Sequence, residues 1–239
     1  MTPPRCSIVI PAREEGEAIV LVLRRIEEMV NIDFECLIVV DNPQDSSCNH
    51  IESLKNAKFR VIVNTDAPSP AMAIKFGIQH STSPIVVVTM ADGSDDPKDI
   101  PSLVRLVERG VVIAAASRYM PGGQQIGAPI LKASLSRLAG NSLWLLRQVG
   151  TRDATNSFKA YNKHFIEKVG IDSIYGFEMA LELVAKAKRQ NLPVAELPTI
   201  WLERDLRSSN FKLWRWLPRY IRWYVYAFGI GRKSLIHEQ

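Results

Sequence analysis

The 239-residue chain has few cysteines, no long hydrophobic run and no recognisable secretory leader. Its three cysteines, Cys6, Cys36 and Cys48, form an odd, scattered set, which disfavours both a disulfide scaffold and a zinc site. We interpret them as two buried thiols and one loop thiol in a reducing cytosol. No stretch reaches the roughly 18 consecutive apolar residues that suggest a transmembrane helix. No basic segment followed by an apolar stretch stands near residue 1, so we expect a cytoplasmic protein.

Two nucleotide-binding signatures are also missing. No Gly-x-Gly-x-x-Gly follows the first apolar run, and the chain has no Gly-Lys-Ser/Thr loop, which excludes a dinucleotide-binding Rossmann site and a P-loop. What is present is enough apolar material for a core: hydrophobic residues make up 46% of the chain and charged residues 23%. This balance excludes a disordered tail and a collagen-like chain. The length fits one large domain with or without an appendage.

Positive charge and aromatic side chains are concentrated at the end of the sequence. From residue 203 onward there are eight basic and three acidic residues, which accounts for the whole net charge of +5. The same segment holds eight of the 19 aromatic residues. The chain is therefore predicted to be a neutral globular body followed by a basic, aromatic end.

Alternating apolar runs and helical patterns predict the fold class. Strands that are apolar on both faces and alternate with helices indicate a mostly parallel sheet in an α/β domain. Acids are expected in the first turn of the first helix. The predicted strands are 7–11, 37–40, 59–63, 85–90 and 111–116, with later strands at 157–161 and 194–201. The predicted helices are 14–29, 71–80, 97–109, 129–149 and 176–189.

Polar residues follow the ends of four predicted strands, where open α/β sheets bind their ligands. The segments 11–15, 41–42 and 92–96 supply carboxylates, and 117–119 supplies an arginine and two hydroxyls. Carboxylates at such an edge suit the hydroxyls of a ribose and a metal-bridged diphosphate.

Several motifs, taken in order, carry a resemblance to a known family. They are Ile-Val-Ile-Pro-Ala-Arg-Glu-Glu at 8–15, Val-Val-Asp-Asn at 39–42, Met-Ala-Asp at 90–92 and Ser-Arg-Tyr-Met-Pro-Gly-Gly at 117–123. Asp-Ala-Thr-Asn-Ser-Phe at 153–158, Gly-Phe-Glu at 176–178 and the segment 203–211 continue the series. Together they resemble glycosyltransferase family 2, and within it the dolichyl- or polyprenyl-phosphate mannosyltransferase type.

The resemblance implies a GT-A fold, an inverting transfer from a nucleotide-diphosphate sugar, and a divalent metal, Mg²⁺ or Mn²⁺. It places the GT-A domain at 1–210 and leaves 211–239 as a basic, aromatic amphipathic tail. By position, Pro11, Arg13, Glu15, Asp41, Asp92 and Arg204 match donor-binding residues, with Asp92 also on the metal. Arg118, Lys132 and Ser136 match residues that hold the acceptor phosphate, and with Asp92 they form the expected catalytic set.

The chain departs from the family pattern where the metal is expected. Met90 replaces the first Asp of the Asp-x-Asp motif, and a thioether is a poor ligand for Mg²⁺ or Mn²⁺. Ser94 stands at a second position on the metal side. One carboxylate, two diphosphate oxygens and waters still suffice for Mg²⁺, and Asp95 and Asp96 are further candidate ligands. A non-catalytic relative is therefore an alternative hypothesis.

The acceptor determines which catalytic groups are needed. A hydroxyl requires a carboxylate base within hydrogen-bond reach, whereas a lipid phosphate is already ionised and needs only cations to place it. Neither the Glu-Asp pair of hydroxyl-acting members nor the Gln-x-x-Arg-Trp signature of processive synthases is present. A phosphate acceptor is therefore favoured, and the alternative is a hydroxyl acceptor with Glu178 as the base.

The tail has the pattern of an amphipathic helix. Because Trp and Tyr favour the membrane interface and Arg favours anionic headgroups, we predict a peripheral anchor at the cytoplasmic face of a membrane. Pro218 either begins this helix or kinks it. The alternative is a helix packed on the body or at a dimer contact. The arginine stripe is Arg215, Arg219 and Arg222, and the apolar stripe is Leu217, Ile221, Tyr224 and Phe228.

The leading hypothesis is thus an enzyme that moves a hexose, mannose or glucose, from a GDP- or UDP-sugar to a polyprenyl phosphate at a membrane surface. Nucleic-acid binding is not expected, because the carboxylates at the sheet edge would repel a phosphate backbone.

Overall fold

The computed structural model describes residues 3–127, 130–147, 149–203 and 213–230, with only the backbone for 130–132 and 213–216. The strands are β1 (Cys6–Ala12), β2 (Phe34–Val40), β3 (Phe59–Val63), β4 (Ile85–Val88), β5 (Ile113–Ser117), β6 (Gln124–Ile126), β7 (Lys159–Asn162), β8 (Val194–Pro198) and β9 (Ile200–Leu202). The helices are α1 (Ala18–Met29), α2 (Ser47–Glu52), α3 (Pro70–His80), α4 (Ile100–Glu108), α5 (Ile130–Arg147), α6 (Lys163–Val169), α7 (Glu178–Arg189) and α8 (Leu213–Ala227). A single 3₁₀ turn, Pro97–Asp99, precedes α4.

Seven strands form one sheet in the order β3-β2-β1-β4-β7-β5-β8. Neighbouring strands run parallel except around β7, which is antiparallel to both β4 and β5. The strands β6 and β9 form a separate parallel pair. The prediction of an α/β domain with a mostly parallel sheet is confirmed.

Apolar side chains cover both faces of the sheet. On one face, Ile8 and Ile10 of β1 pack with the buried sides of α1 and α4. On the other face, Val9 of β1 and Val39 of β2 pack with α3, α6, α7 and α8. This three-layer arrangement explains why the strands are continuous apolar runs rather than alternating ones.

The first strand continues through Pro11, although the sequence pattern predicts that it ends there. Val9 O accepts from Thr89 N on the β4 side, and Pro11, two residues later, has its nitrogen on the same side. The strand β4 ends at Val88, so no ladder bond is lost at Pro11.

The helix predicted from residue 14 begins later, at Ala18, and its first turn contains no acid. The amides of Glu14 and Glu15 are bound instead by Asp45 Oδ2 (2.8 Å) and Ser47 Oγ (3.1 Å). Glu14 adopts a φ of 55° and Gly16 a φ of 58°, so the backbone forms a turn before the helix. Contacts with the loop after β2 therefore override the local helical pattern.

The single strand predicted at 194–201 is two strands in different sheets. Thr199 lies at the division: its N–H donates to Ser117 O in the main sheet, and its carbonyl accepts from Gln124 N of β6. Its hydroxyl donates to Asp99 Oδ2 (2.7 Å). The short elements α2, β6 and α6 were not predicted, although Asn162, whose side chain accepts from Phe165 N, is an N-cap signal for α6.

The three cysteines are free and buried. Cys48, predicted in a loop, lies in α2. Burial raises the pKa of the Cys6 thiol to about 12, so this thiol is inert at neutral pH.

The last described helix, α8, packs on α7 and α5 and runs through Pro218. Trp223 is 4% exposed, and its Nε1 donates to Ser173 Oγ (3.1 Å), while the Lys186 ammonium lies 5.5 Å from its ring centre. Ile221, predicted in the apolar stripe, is 49% exposed. In the described part of the chain, no helix combines the length and apolarity that crossing a bilayer requires.

Gly77 of α3 lies where the helix approaches the sheet most closely. A Cβ at this position would be 2.5 Å from Val9 Cγ1 and 2.9 Å from Val39 Cγ2. Gly→Ala in a helix normally stabilises by up to about 1 kcal/mol, but here overpacking reverses the sign. We expect Gly77→Ala to lower the free energy of unfolding by about 1–3 kcal/mol in urea titrations. The exposed control Gln79→Ala should change it by less than about 0.5 kcal/mol.

Candidate active site

The carboxyl ends of β1, β2, β4 and β5 meet at one edge of the sheet, and the loops that follow them carry the predicted site residues. The loop after β1 is held by the loop after β2, because Asp45 accepts from Glu14 N and Ser47 accepts from Glu15 N. Asp45 also accepts from Ser47 N (2.9 Å), so the two residues that hold the loop after β1 are themselves hydrogen-bonded to each other. Pro11 therefore lies near the end of a fixed strand, and the exposed side chain of Arg13 projects from a tethered loop.

Asp41 is positioned by a residue that the sequence analysis missed. Asn64, 5% exposed after β3, donates from Nδ2 to Asp41 Oδ1 (2.8 Å). The turn at 42–44 uses Asn42, whose Oδ1 accepts from Gln44 N. Asp41 is thus not a simple turn residue, and its half-buried carboxylate is oriented at the sheet edge. A polar residue directly after an apolar strand was the available signal for Asn64.

The loop after β4 presents one carboxylate outward. Asp92 is exposed, and its Oδ1 accepts from Ser94 N (2.9 Å) and Ser94 Oγ (2.7 Å). Gly93 between them has a φ of 70°, a left-handed conformation that glycine adopts without strain. The exposed Asp92 carboxylate thus lies in the loop at the edge of the sheet where a ligand would bind.

Asp95 and Asp96, the other candidate metal ligands, are engaged elsewhere. Asp95 is 5% exposed and accepts from Thr89 Oγ1 (2.9 Å) and Met90 N (3.1 Å). Burial, together with the charge of Asp92, raises the pKa of Asp95 to about 7. Asp96 pairs with Lys98 Nζ at 2.7 Å. Both candidate ligands are therefore already engaged within the chain, which disfavours them as metal ligands.

Among the three carboxylates of this loop, Asp92 is therefore the strongest candidate ligand for a divalent metal. Among the described residues no group of three or more His, Cys, Asp or Glu side chains is close enough to hold an ion. Asp92 fits a site that takes its remaining ligands from a bound diphosphate and water, which is a common arrangement for Mg²⁺.

Arg118 and Asp153 form a buried, bidentate ion pair. Arg118 Nε donates to Asp153 Oδ2 (2.7 Å), and Nη2 donates to Oδ1 (2.8 Å). The side chains are 10% and 0% exposed. Burial acts to raise the pKa of Asp153, but the charge and hydrogen bonds of Arg118 outweigh it and hold the pKa below its ordinary value. The guanidinium is thus fixed in one orientation at the end of β5.

Ser136 of α5 lies next to this pair. Its Oγ is 3.5 Å from Arg118 Nη2 and 2.5 Å from the hydroxyl of Thr155. The structure therefore brings together two of the predicted acceptor-side residues, Arg118 and Ser136. The side chain of Lys132 and the whole of Arg204 lie outside the described part of the chain.

Lys159 is a second buried cation that the sequence analysis did not single out. It is fully buried in β7, and its ammonium donates to the carbonyls of Asp153 (3.2 Å), Ala154 (3.3 Å) and Asn156. Burial lowers the pKa of Lys159 to about 7. Through these hydrogen bonds, the Lys159 side chain ties the loop that carries Asp153 to the centre of the sheet. Its signal in the sequence was a lysine inside an otherwise apolar run.

Glu178, the candidate base, is the first residue of α7 and is 2% exposed. Within the described residues its Oε2 has no hydrogen-bond partner. It lies near Tyr220 of α8, whose pKa is raised by burial and by the charge of Glu178. An acceptor hydroxyl cannot reach this carboxylate without movement of its surroundings.

A cavity of about 220 Å³ lies beside Arg118, between α5 and β6. Its walls include Arg118, Tyr119, Gln124, Gln125, Ser134 and Arg137. A wider depression lies near Arg24 and Lys55, but the chain there leads into the start of β3, so it lies at the opposite edge of the sheet.

The comparison with family models identifies the family. Residues 7–170 match the model described as glycosyl transferase family 2, so the chain belongs to this family and is a glycosyltransferase. The resemblance found in the sequence motifs is confirmed.

Two curated relatives are similar over most of the chain. One, the polyprenol monophosphomannose synthase of Mycolicibacterium smegmatis, is 26% identical over 231 residues, covering 89% of this chain and 86% of the relative. The other, the dolichol-phosphate mannosyltransferase of Pyrococcus furiosus, is 26% identical over 214 residues, covering 87% of this chain but only 59% of the relative. The chain is thus similar to polyprenyl-phosphate mannosyltransferases.

Solved structures show the same fold. Glucosyl-3-phosphoglycerate synthase from Mycobacterium tuberculosis, in a complex with Mn²⁺, UDP and glucosyl-3-phosphoglycerate, superposes with a TM-score of 0.71 at 17% identity. The match covers 96% of this chain and 81% of that one. At this identity the likeness confirms the GT-A fold alone.

The buried Asp95 gives stability a distinctive pH dependence. Its pKa, about 7 in the folded state, is near 3.8 when unfolded, so between these values the folded state binds more protons. The contribution of the protonated Asp95 carboxyl to the free energy of unfolding is therefore fully present below pH 4 and is lost as pH rises towards 7. We expect the free energy of unfolding of Asp95→Asn, relative to wild type, to rise by about 1–4 kcal/mol between pH 4.5 and 7 in urea titrations.

A hydrogen bond lost in Asp95→Asn would lower the free energy of unfolding by the same amount at every pH. The test is therefore the slope of the free energy of unfolding against pH. The exposed control Glu28→Gln should keep the wild-type slope. Parallel curves for wild type and Asp95→Asn would contradict the assignment of a proton to Asp95.

Proposed function

We propose that this glycosyltransferase moves a hexose, mannose or glucose, from a GDP- or UDP-sugar to a polyprenyl phosphate at a membrane surface. The observation that carries the proposal is the fixed Arg118 guanidinium beside Ser136, at the mouth of a cavity without a carboxylate in its described lining. Such a site suits an acceptor that is already an anion. The names of the two curated relatives support the same substrate class.

On the donor side, the loops after β1 and β2 would hold the nucleoside. Pro11, Arg13 and Glu15 would line the base and ribose, and Asp41, oriented by Asn64, would accept from a ribose hydroxyl or the base. We also propose that Arg204 contacts the diphosphate.

Asp92 would hold a divalent metal together with the diphosphate. When bound, such an ion neutralises the charge that develops on the leaving diphosphate. Structures of glucosyl-3-phosphoglycerate synthase that contain Mn²⁺ with UDP or UDP-glucose are consistent with this role.

On the acceptor side, Arg118, Ser136 and Lys132 would place the phosphate. An ionised phosphate oxygen forms the new bond to the anomeric carbon while the bond from that carbon to the diphosphate oxygen breaks. The nucleoside diphosphate leaves with the bonding electrons, and the anomeric configuration inverts. No proton is removed from the acceptor, so no general base is required. The burial of Glu178 argues against the alternative reaction with a hydroxyl acceptor.

The membrane-facing surface would include α5 as well as the tail. Along α5, Leu135, Leu138, Leu145 and Leu146 are 37%, 67%, 69% and 61% exposed. Their spacings of three, seven and one place them on one broad side of the helix. Because the same helix supplies Ser136 to the site, contact with a bilayer would bring a lipid phosphate close to Arg118.

Calorimetry of nucleotide binding tests the donor and the metal together. We expect GDP-mannose or UDP-glucose to bind at least about tenfold more tightly with Mn²⁺, and Mn²⁺ alone to bind weakly, because the described part of the chain contains no group of three or more ligating side chains. Asp92→Asn should remove the metal effect, whereas Asp96→Asn should keep it. Equal affinity with and without Mn²⁺ would contradict a metal role for Asp92.

An assay of sugar transfer tests the acceptor. We expect transfer to polyprenyl phosphate but not to polyprenol.

Flotation with vesicles of phosphatidylglycerol and phosphatidylcholine tests the membrane surface. We expect Leu138→Glu/Leu145→Glu to reduce partitioning by about tenfold or more, because two apolar contacts are lost and two negative charges face anionic lipid. The control Leu21→Glu changes an equally exposed leucine on α1 and should float as wild type does. Point variants are preferred to truncation, because removing α8 would uncover the buried surface around Trp223. Unchanged flotation of the double variant would exclude α5 from the membrane contact.

A further inference from the structure

The cavity beside Arg118 contains a second arginine that the resemblance does not assign. Arg137 of α5 lines the cavity together with Arg118 and Tyr119. Its guanidinium lies 5.5 Å from the centre of the Tyr119 ring, and that of Arg118 lies 4.9 Å from the same centre. Two cations therefore face one small space across a shared aromatic ring.

The two arginines differ in whether a neighbouring carboxylate compensates their positive charge. The charge of Arg118 is neutralised by the buried Asp153, so this pair supplies hydrogen-bond geometry but no net positive charge. Arg137 forms no ion pair within the described part of the chain, where the arginines that do so are Arg5, Arg25, Arg60, Arg118 and Arg152. Among the described lining residues, the net positive charge of the cavity thus comes from Arg137.

The remaining walls add neutral donors. The Tyr119 hydroxyl donates to Gln125 Oε1 (3.1 Å), which leaves the Gln125 amide N–H groups for a ligand. Gln124 and Ser134 contribute a further amide and a hydroxyl. A volume of about 220 Å³ lined by one uncompensated guanidinium and several neutral donors fits a small anion with several acceptor oxygens.

We propose that Arg137 is a specificity-determining residue: it supplies the uncompensated positive charge that makes the cavity select a phosphate monoester over an uncharged acceptor. This inference rests on the proposed function and deepens it. The Arg118–Asp153 pair orients the phosphate, and Arg137 supplies the charge that favours an ionised acceptor over a neutral one. The phosphate of a lipid and that of a water-soluble ester share this chemistry.

The test compares Arg137→Gln with Arg137→Lys and with a control variant, Arg109→Gln. Arg109 is exposed and directly follows the last residue of α4. We expect Arg137→Gln to raise KM for the acceptor by about 10–100-fold, the loss of a charge-assisted hydrogen bond. The KM for the nucleotide sugar should change by less than about twofold. Arg137→Lys should restore most of the acceptor affinity but less than arginine, because it keeps the charge and loses the fork.

Two acceptors distinguish the sources of the phosphate. Transfer is measured to a ten-carbon prenyl phosphate and to 3-phosphoglycerate. An effect of Arg137→Gln on the acceptor that the wild type uses supports the inference and identifies the source. Equal acceptor KM values for Arg137→Gln and Arg109→Gln would overturn it, even if the wild type is an active transferase.

Direct binding separates this inference from the proposed function. Calorimetry with the ten-carbon prenyl phosphate and 3-phosphoglycerate, without donor, reports on the cavity alone. If the wild type transfers no sugar, the proposed function fails. Binding that Arg137→Gln weakens about tenfold or more still supports the role of Arg137, whereas equal binding by the variant, or no binding by the wild type, overturns it.

Discussion

The buried ion pair between Arg118 and Asp153 is the interaction on which the rest of the site depends. Burying two charges is costly unless they are paired with good geometry, and here two parallel hydrogen bonds meet that condition. Asp153 is in turn fixed because Lys159 holds the carbonyls of its loop. The consequence is a guanidinium that cannot rotate at the end of β5. It therefore defines where α5 and its Ser136 must lie.

The two halves of the site are built by different physical means. On the proposed donor side, the loops are held by hydrogen bonds from backbone N–H groups to the side chains of Asp45 and Ser47, and the side chains that would meet a nucleotide remain partly exposed. On the acceptor side, buried charges fix the geometry before any ligand arrives. Between them, Asp95 turns inward and accepts from the backbone N–H of Met90, the residue that stands where the family resemblance implies an acid. Preorganisation is thus concentrated where the nucleophile would be placed.

Much of this arrangement was predictable from the sequence. The apolar strands, their order relative to the helices, and the placement of Asp41, Asp92 and Arg118 at strand ends follow from periodicity and from the rule for open sheets. The start of α1 and the division at Thr199 were not predictable, because distant loops and a second sheet take the backbone hydrogen bonds there. Nor does local pattern reveal that Asp95 points inward, because a carboxylate in a polar loop is equally compatible with solvent. The roles of Arg137 and Lys159 depend on which residues surround them, and that depends on tertiary contacts.

The strand β7 has a consequence for how the chain is made. It lies between β4 and β5, yet it follows β5 by about 40 residues in the sequence. While the ribosome has released only the first part of the chain, β4 and β5 have no partner on their facing edges. Unpaired edges of this kind are prone to join other chains, and long-range pairing is slow to form. The nascent protein therefore passes through a period in which its centre is open, and chaperones that shield β-edges would act during that interval.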